Sequence, residues 1–271
     1  MIREIFLQMY YGKIYLFEFY ECIWMHYFVI CITLYIFAMY FKNQYKMESN
    51  CKNCPFNSKA AAMLCDASFE QLSENHLVLK FKKGDTVIKQ GMYSTNVVFL
   101  RTGLAKIHLT GPYHEQIVKL TKAPTYLGLP TTFGDKINQY SVTAVSDLEV
   151  CFIDVQVFQT ILNENRDFSH EIILELCRNE LESFRRCANR TQKLIRGNMA
   201  DVLLEFSEKI FLSDKFIMPL SQSDLANLVD TSRESVSRVK TEFDKDGIIK
   251  VSGKQIEILN RKSLKLISQN G

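Results

Sequence analysis

The chain has 271 residues, and 47% of them are hydrophobic, which is enough for two domains that each bury a core. This composition excludes disordered and fibrous proteins. The formal net charge of +3 is too small to indicate nucleic-acid binding by itself, because a whole-chain average hides local patches.

The cysteines and histidines narrow the class of protein further. The chain has 8 cysteines and no cleavable secretory signal, which favours reduced thiols in the cytoplasm and metal or redox chemistry where cysteines cluster. Its 5 histidines lack metal-site spacing. No nucleophile elbow, phosphate-binding loop or zinc-hydrolase motif occurs. The sequence therefore predicts a protein that is not an enzyme.

Residues 22–41 form an uncharged stretch whose length, about 20 residues, matches a membrane-spanning helix. One interpretation is a membrane anchor with the rest of the chain in the cytoplasm. The favoured interpretation is that translation starts at Met47, where a polar segment begins. Residues 1–46 are then a leader outside the globular fold.

From Leu77 to Phe158 the sequence has short runs rich in Val, Ile, Phe and Thr, separated by Gly and Pro. Such runs predict an antiparallel β sandwich or barrel. The clearest predicted strands are Val97–Leu100, Leu104–Leu109, Gln116–Leu120 and Tyr140–Val145.

From Asp167 the pattern changes to that of a helix, because no Gly or Pro occurs before Gly197. Apolar residues recur there at spacings of three and four over about three heptads. The stripe is longer than a typical globular helix of about 11 or 12 residues, which favours a dimer coiled coil over packing on the chain's own β domain alone. The predicted dimer seam consists of Leu174, Cys177, Leu181, Phe184, Ala188, Thr191 and Ile195.

The stretch SQSDLANLVDTSRESVSRVKTEF, residues 221–243, is typical of helix, tight turn and helix. Ser221 with Asp224 predicts a capping box for the first helix, and Thr231 with Glu234 predicts one for the second.

Small and apolar residues predict how these two helices pack. Ala226 lets the helices cross closely, and Asp230 tolerates a left-handed turn between them. The predicted shared core consists of Leu225, Val229, Val236, Val239 and Phe243.

The outward face of the second helix carries Arg233, Glu234, Ser237 and Arg238 near its N-terminus, the end that enters a major groove in such motifs. Arg238 can donate two hydrogen bonds to guanine, and Glu234 can accept one from cytosine while it orients Arg238 from four residues away. We therefore predict binding to double-stranded DNA. The alternatives are a solvated helix pair in an enzyme, and a ligand-sensing signalling module that acts through a protein partner rather than DNA.

Residues 248–259, IIKVSGKQIEIL, predict a hairpin that turns at Ser252 and Gly253. Lys250 and Lys254 of this hairpin are placed for phosphate contacts. The full set of predicted DNA-contacting residues is Arg233, Glu234, Ser235, Ser237, Arg238, Lys240 and Lys254.

Four segments, KKGDTVIKQG, VVFLRTG, TSRESVSRVKTEF and SGKQIEI, resemble the Crp/Fnr family of bacterial transcription regulators, and the resemblance extends from about Cys51 to the C-terminus. It implies an α+β fold with a jelly-roll-like β-roll sensor domain of the cyclic-nucleotide-binding type over residues 47–160. A dimerisation helix over 161–197 and a winged helix-turn-helix over 198–271 would follow. The resemblance also implies RNA polymerase as a partner.

The resemblance extends to the residues that read DNA bases. By position, Arg233, Glu234 and Arg238 match the base-reading residues of the cyclic AMP receptor branch of the family. Glu234, Ser237 and Arg238 match those of the FNR branch. This implies a homodimer on an inverted repeat with TTGA-like or TGTGA-like half-sites, about one helical turn apart.

The residues that hold a cyclic nucleotide in this family are not matched. Leu129 stands where the family has Glu, and Asn138 and Gln139 stand where it has Arg and Ser. A cyclic phosphate needs a paired cation, so we expect no cyclic AMP response.

Four cysteines resemble the ligand set of FNR-type oxygen sensors, in which three N-terminal cysteines and a later one hold a [4Fe-4S] cluster. They are Cys51, Cys54, Cys65 and Cys151, and the gap before Cys65 is longer than in those sensors. Three interpretations stay open: a cluster that gives a redox or oxygen response, another metal or a thiol switch, and cysteines that only pack.

Overall fold

The computed structural model describes residues 51–271, so the uncharged stretch 22–41 and the alternative start at Met47 lie outside the described residues. Across 51–271 no helix is both long enough and apolar enough to cross a membrane. This part of the chain forms a β domain, a long helix and a C-terminal domain of helices with a small sheet.

The β domain consists of two antiparallel four-stranded sheets. Its strands are β1 (His76–Phe81), β2 (Thr86–Ile88), β3 (Asn96–Thr102), β4 (Leu104–Thr110), β5 (Glu115–Lys122), β6 (Thr125–Leu127), β7 (Ser141–Ala144) and β8 (Leu148–Asp154). One sheet has the order β1-β8-β3-β6, and the other has the order β2-β7-β4-β5. The four predicted strands are β3, β4, β5 and β7, each within two residues of its predicted ends. The predicted β sandwich is therefore confirmed.

Strand β3 is buried on both of its faces, which explains its unbroken apolar run. Leu100 belongs to the core between the two sheets, whereas Phe99 belongs to a second core shared with helices. The helices of this domain are α1 (Asp66–Glu74), α2 (Leu129–Phe133) and α3 (Val155–Glu164).

The long helix, α4 (Arg166–Gln192), carries the predicted apolar stripe but is shorter than the predicted segment 161–197. Residues 161–164 belong to α3. Lys193 and Leu194 are extended before α5 (Ile195–Glu205) begins. Ile195 therefore lies on the next helix, which corrects the last position of the predicted seam. No Gly or Pro marks this break in the sequence.

The C-terminal domain contains the predicted helix-turn-helix and wing. Helix α5 continues through one turn of π-helix, Phe206–Ile210. The remaining elements are β9 (Lys215–Ile217), α6 (Gln222–Val229), α7 (Arg233–Lys245), β10 (Ile249–Ser252), β11 (Gln255–Ile258) and α8 (Arg261–Asn270). The sheet order is β10-β11-β9. The hairpin of β10 and β11 is the wing, and it turns at Gly253 and Lys254, one residue later than predicted, because Ser252 pairs with Gln255.

The β domain and the C-terminal domain share one hydrophobic core. Ile117 of β5 is fully buried and belongs to the same cluster as Leu225 of α6. The guanidinium of Arg190, on α4, donates hydrogen bonds to the main-chain carbonyl oxygens of Ile117 and Leu228. One side chain thus ties the long helix to a strand of the β domain and to the first helix of the helix-turn-helix.

Polar contacts also join β4 and β5 to α6. Lys106 Nζ donates to Asp224 Oδ1 at 2.7 Å and to Glu115 Oε1 at 2.9 Å. Burial opposes the charged form of Lys106, but these two carboxylates outweigh it, so the pKa of Lys106 is raised. Gln116 Nε2 donates to the carbonyl oxygen of Asn227 at 2.7 Å. These contacts hold α6 against the β domain at both of its ends.

We expect Gly103→Ala to destabilise the β domain. Gly103 turns the chain from β3 into β4 with φ of +94°, and an added Cβ would lie 2.5 Å from Leu148 Cδ2 and against the carbonyl oxygen of Asp147. Backbone strain and the clash together should lower the free energy of unfolding by about 1–3 kcal/mol. Urea denaturation followed by circular dichroism measures this loss.

The control for this prediction is Gly84→Ala. Gly84 has φ of +97°, but nothing lies within 4 Å of an added Cβ, so only backbone strain is introduced. Equal losses for the two variants would contradict the predicted clash at Gly103.

Candidate nucleic-acid interface

The geometry between α6 and α7 begins with a capped helix and a left-handed turn. Ser221 Oγ accepts the backbone N–H of Asp224 at 3.0 Å, and Asp224 Oδ2 accepts the backbone N–H of Ser221 at 3.1 Å. This confirms the first predicted capping box. Asp230 has φ of +57° and ψ of +59°, and the N–H of Thr231 closes the turn on the carbonyl oxygen of Ala226 at 3.0 Å. The left-handed turn is therefore confirmed as well.

The second helix begins one residue later than predicted. Ser232, not Thr231, is its N-cap, and Ser232 Oγ accepts the backbone N–H of Ser235 at 3.1 Å. The predicted box between Thr231 and Glu234 is wrong, because Thr231 still belongs to the turn that follows Asp230. The backbone becomes extended, as an N-cap requires, at Ser232.

The inward face of α7 fixes the direction of its outward face. Val236, Val239 and Phe243 are at most 2% exposed, and they share a buried cluster with Leu225 and Val229 of α6. The predicted core of the helix pair is therefore confirmed. Because this face of α7 is packed, the opposite face is held toward solvent.

The outward face of α7 and the start of α6 form one concave surface, which we call the reading surface. Its predicted members are Arg233, Glu234, Ser237 and Arg238, all of them exposed. Gln222, Thr241, Glu242 and Lys245 complete the lining. Gln222 is not among the residues predicted from the sequence, although its place directly after the Ser221 cap is a signal for it.

Arg238 is held from the C-terminal side and not by Glu234 as the sequence suggested. Its Nε lies 3.9 Å from Glu242 Oε1, and Arg196 of α5 donates to the other oxygen of Glu242 at 2.6 Å. The Arg238 side chain is 68% exposed, so the guanidinium remains available. Glu234 accepts hydrogen bonds from its own backbone N–H and from the Ser232 hydroxyl, which lower its pKa.

The other predicted contact residues do not all share the reading surface. Lys240 is only 8% exposed, and burial lowers its pKa. Ser235 is half-buried and its hydroxyl bonds to that of Ser232 at 3.2 Å. Lys254 is exposed at the turn of the wing, and Lys250 is exposed on β10. The two wing lysines therefore stand where the sequence placed them, whereas Lys240 is turned inward.

The apolar stripe of α4 is exposed along most of the helix. Leu181 and Phe184 are each 63% exposed, whereas Phe168 and Ile172, near the start of the helix, are buried. The fully buried apolar side chains of α4 are thus those near its start. The exposed members of the predicted seam are Leu174, Cys177, Leu181, Phe184, Ala188 and Thr191.

Three of the four candidate ligand cysteines lie near one another. Cys51 Sγ lies 3.6 Å from His76 Nδ1, and burial raises the pKa of the Cys51 thiol. Cys54 Sγ accepts a hydrogen bond from Arg101 Nη2 at 3.5 Å. Cys151 belongs to the same buried cluster as Cys51, and burial raises the pKa of its thiol to about 12.

The fourth cysteine stands apart, and the set does not fit a metal cluster. Cys65 is the exposed N-cap residue of α1, and a hydrogen bond with the Ser68 hydroxyl at 3.4 Å lowers its pKa. Within residues 51–271 no group of three or more His, Cys, Asp or Glu side chains is arranged to hold a metal ion. A [4Fe-4S] cluster needs four thiolates around one centre. The described arrangement therefore does not fit that group.

The segment aligned with the family's cyclic-nucleotide site is hydrogen-bonded within itself. The Thr131 hydroxyl donates to the carbonyl oxygen of Gly128 at 2.8 Å and lies 3.3 Å from Asn138 Oδ1. Asn138 is buried, and Leu129 is only 3% exposed. Gln139 Nε2 lies 3.4 Å from Asp135 Oδ2. The residues in these positions are uncharged or paired with each other, and the expected lack of a cyclic AMP response stays a prediction.

Two family models match the chain. The model described as Crp-like helix-turn-helix domain matches residues 198–267, and the one described as cyclic nucleotide-binding domain matches residues 78–165. Together they cover more than half of the sequence. The first contains the reading surface, and the second contains all but the first two residues of the β sandwich and its closing helix α3.

The chain is similar to relatives and to solved structures over most of their length. The chain is 24% identical over 230 residues to the transcriptional activator protein FnrA of Stutzerimonas stutzeri, covering 81% of this chain and 92% of that protein. It is 24% identical to the transcriptional activator protein FnrL of Cereibacter sphaeroides, covering 76% and 86%. Its fold is similar to that of a Crp/Fnr-family regulator from Eubacterium rectale, with a TM-score of 0.67 at 16% identity over 79% of this chain and 99% of that one. FixK2 of Bradyrhizobium japonicum gives a TM-score of 0.62 at 17% identity, covering 71% and 96%.

The cysteines should differ strongly in their reaction with iodoacetamide. We expect Cys65 to be modified much faster than Cys151, because the thiolate is the nucleophile and the environment favours it only at Cys65. Mass spectrometry of timed samples of the folded protein near pH 8 measures the two rates. In urea, where the fold is lost, the rates should converge. Equal rates in the folded protein would contradict the described environments.

Proposed function

The chain belongs to the Crp/Fnr family of transcription regulators, and we propose that it binds, as a homodimer, an inverted DNA repeat with TTGA-like or TGTGA-like half-sites. Like its relatives, it is a DNA-binding regulator and not an enzyme. We assign residues 47–160 to sensing, α4 to dimerisation and residues 198–271 to DNA binding, with RNA polymerase as a further partner. The observation that carries the proposal is the exposure of Arg233, Glu234, Ser237 and Arg238 on one surface.

Base reading is proposed for the N-terminal half of α7. A major groove admits a helix, and the helix end that enters it presents its outward side chains to the base edges. Arg238 has the planar fork of donors that matches guanine O6 and N7. Glu234, whose lowered pKa keeps it ionised at neutral pH, can accept from cytosine N4. Ser237 lies between them and can contact either kind of base.

Phosphate contacts are proposed for the wing and for the start of α6. Lys254 and Lys250 are exposed on the wing hairpin and can neutralise the DNA backbone without reading sequence. Gln222 stands in the first turn of α6, where free backbone N–H groups favour a phosphate oxygen. Lys240 is left out of this set because its side chain is buried.

Dimerisation is proposed through the exposed stripe of α4. Large apolar side chains such as Leu181 and Phe184, repeated at three and four residues on one face, are costly to leave in water and pack against a second copy of the same face. A two-fold axis along this helix would place two copies of α7 on the same side of a DNA duplex. For the alternative, a signalling module that acts through a protein partner, residues 51–271 show no feature comparable to the exposed set on α7.

The sensed signal is proposed without an iron-sulfur cluster. Cys65 is exposed whereas Cys151 is buried, and within residues 51–271 the candidate cysteines are not arranged around one centre as a cluster requires. A redox response through the thiols themselves remains compatible with the exposed Cys65. A cyclic AMP response is not proposed, because the positions aligned with the family's Arg and Ser hold Asn138 and Gln139, which supply no cation to the phosphate.

Replacing Arg238 by Ala should weaken specific binding more than general binding. We expect a loss of about 1–3 kcal/mol for each half-site of a TTGA inverted repeat, because a bidentate contact to guanine is removed. Fluorescence anisotropy with a labelled duplex at fixed salt measures this loss.

The matched control is Lys262→Ala, which removes one exposed positive charge from α8 in the same domain, outside the reading surface. Lys262→Ala should leave the affinity nearly unchanged. If Arg238→Ala weakened a scrambled duplex as much as the repeat, then Arg238 would contact phosphate and not bases.

A negative charge on the stripe of α4 should separate the dimer. We expect Leu181→Glu to shift the protein to a monomer at micromolar concentration, because two copies of the charge would be buried against each other. Sedimentation velocity measures the mass, and anisotropy should show weaker binding to the repeat. Ser183→Glu adds the same charge on an exposed position outside the predicted seam and should leave the dimer intact. A wild-type monomer, or a dimer that survives Leu181→Glu, would contradict the proposed interface.

A further inference from the structure

A second concave site lies away from the reading surface, at the boundary between the β domain and the C-terminal domain. Its volume is about 650 Å³, within the range of about 300–1,000 Å³ that is usual for small-molecule sites. The β domain contributes the ends of β3 and β5, and the C-terminal domain contributes the π-helical turn and β9. We call it the boundary cavity.

The walls of the boundary cavity are mainly apolar. Phe211 is 39% exposed and Ile217 is 66% exposed, although both are large apolar side chains. Phe56, Pro124 and Leu104 also line the cavity. Exposed apolar surface gathered in a concave site is typical of a surface that a ligand or partner covers.

The charges in the boundary cavity are all of one sign. Lys83, Arg101, Lys122 and Lys254 line it, and no Asp or Glu is among its lining residues. None of these four forms an ion pair with a carboxylate of residues 51–271. Lys83 Nζ donates to the carbonyl oxygen of Pro219 at 2.7 Å, and Lys122 Nζ donates to that of Ile210 at 2.6 Å. Each ammonium has three donors, so both keep donors for another acceptor.

Arg101 adds a buried donor that lacks an acceptor. Its Nε is buried and has no hydrogen-bond partner within residues 51–271, while its Nη2 bonds to Cys54 Sγ at 3.5 Å. Its guanidinium also stacks over the Phe56 ring, 5.3 Å from the centroid. An unsatisfied buried donor on a charged group is costly, and an anion within reach would remove that cost.

We propose that the boundary cavity binds an amphipathic organic acid, with its carboxylate held by Arg101 and Lys122 and its apolar body placed against Phe56 and Ile217. This site is separate from the segment of the β domain aligned with the family's cyclic-nucleotide site. Because its walls come from both domains, a bound acid would bridge them. The proposal does not depend on DNA binding.

The test uses 4-phenylbutyrate as the probe and 4-phenylbutanol as its uncharged counterpart, with the full chain in isothermal titration calorimetry. We expect one phenylbutyrate to bind per chain. The alcohol should bind at least about tenfold more weakly than the acid, because the charge-assisted hydrogen bonds are lost. Affinity for the acid should also fall as salt is raised. Equal affinities for the acid and the alcohol would overturn the proposal.

Variants locate the site. Lys122→Gln should weaken phenylbutyrate binding about tenfold. Ile217→Glu should abolish binding, because it places a negative charge in the cavity that repels the carboxylate of the probe. Both residues are exposed, so the fold should persist, and circular dichroism with thermal unfolding checks this. Lys89→Gln removes an exposed charge outside the cavity and should change nothing.

The exposed apolar stripe of α4 is another surface to which phenylbutyrate could bind. The variant Leu181→Glu distinguishes binding there from binding in the boundary cavity. The proposal expects phenylbutyrate affinity to survive Leu181→Glu and to fall in Lys122→Gln. A loss of affinity in Leu181→Glu with none in Lys122→Gln would overturn the proposal. An affinity unchanged in both Lys122→Gln and Ile217→Glu would also overturn it. Because the readout is ligand binding alone, its failure would leave the proposed DNA-binding function unaffected.

Discussion

The guanidinium of Arg190 meets the main-chain carbonyl oxygens of Ile117 and Leu228, and the position of the whole C-terminal domain depends on this junction. No carboxylate takes part in these contacts, because Nη2 of Arg190 donates to three carbonyl oxygens, those of Ile117, Val118 and Leu228. The shared core around Ile117 and Leu225 forms on the same boundary. Together these contacts set where α6 lies, and α6 in turn sets the direction of α7 and its reading surface.

The reading surface combines a rigid inner face with adjustable outer side chains. The side chains of Val236, Val239 and Phe243 are buried, so the backbone of α7 cannot shift without opening the core. The Arg238 side chain, in contrast, is 68% exposed, and its Nε lies 3.9 Å from Glu242 Oε1, while the other oxygen of Glu242 accepts from Arg196 of α5. This chain of charges restrains the stem of Arg238 and leaves its donors open to solvent. A residue with this arrangement is suited to exchange water for base edges at small conformational cost.

Local patterns predicted the elements well because the responsible forces act over a few residues. The Ser221 cap, the left-handed Asp230 and the apolar spacing of α7 all follow from backbone and side-chain properties at those positions. The N-cap at Ser232 was missed because Thr231 and Ser232 both carry hydroxyls, and only the turn closing on Ala226 decides between them.

Other features depend on residues that are distant in sequence and could not be read from spacing. Lys240 is buried by packing around its stem, which a helical wheel that counts charge as exposure does not foresee. Cys65 is exposed at the start of α1 whereas Cys151 is buried in the sandwich, and spacing along the chain does not indicate this difference. The boundary cavity is built from eight separate segments of the chain, so no single motif records it. In each case tertiary packing, not local propensity, determined the outcome.

The extended pair Lys193 and Leu194 has a mechanical consequence. The helical hydrogen-bond ladder stops at Lys193 and restarts after Leu194, so a torsional change at these two residues would swing the C-terminal domain without melting any turn of α4. Resistance to that swing comes from side chains, such as the Lys193 and Asp201 pair at 2.7 Å, and from the junction at Arg190. In the proposed dimer, the angle between the two α7 helices would therefore be set by these contacts and by the shared core around Ile117 and Leu225, and not by the stiffness of the long helix.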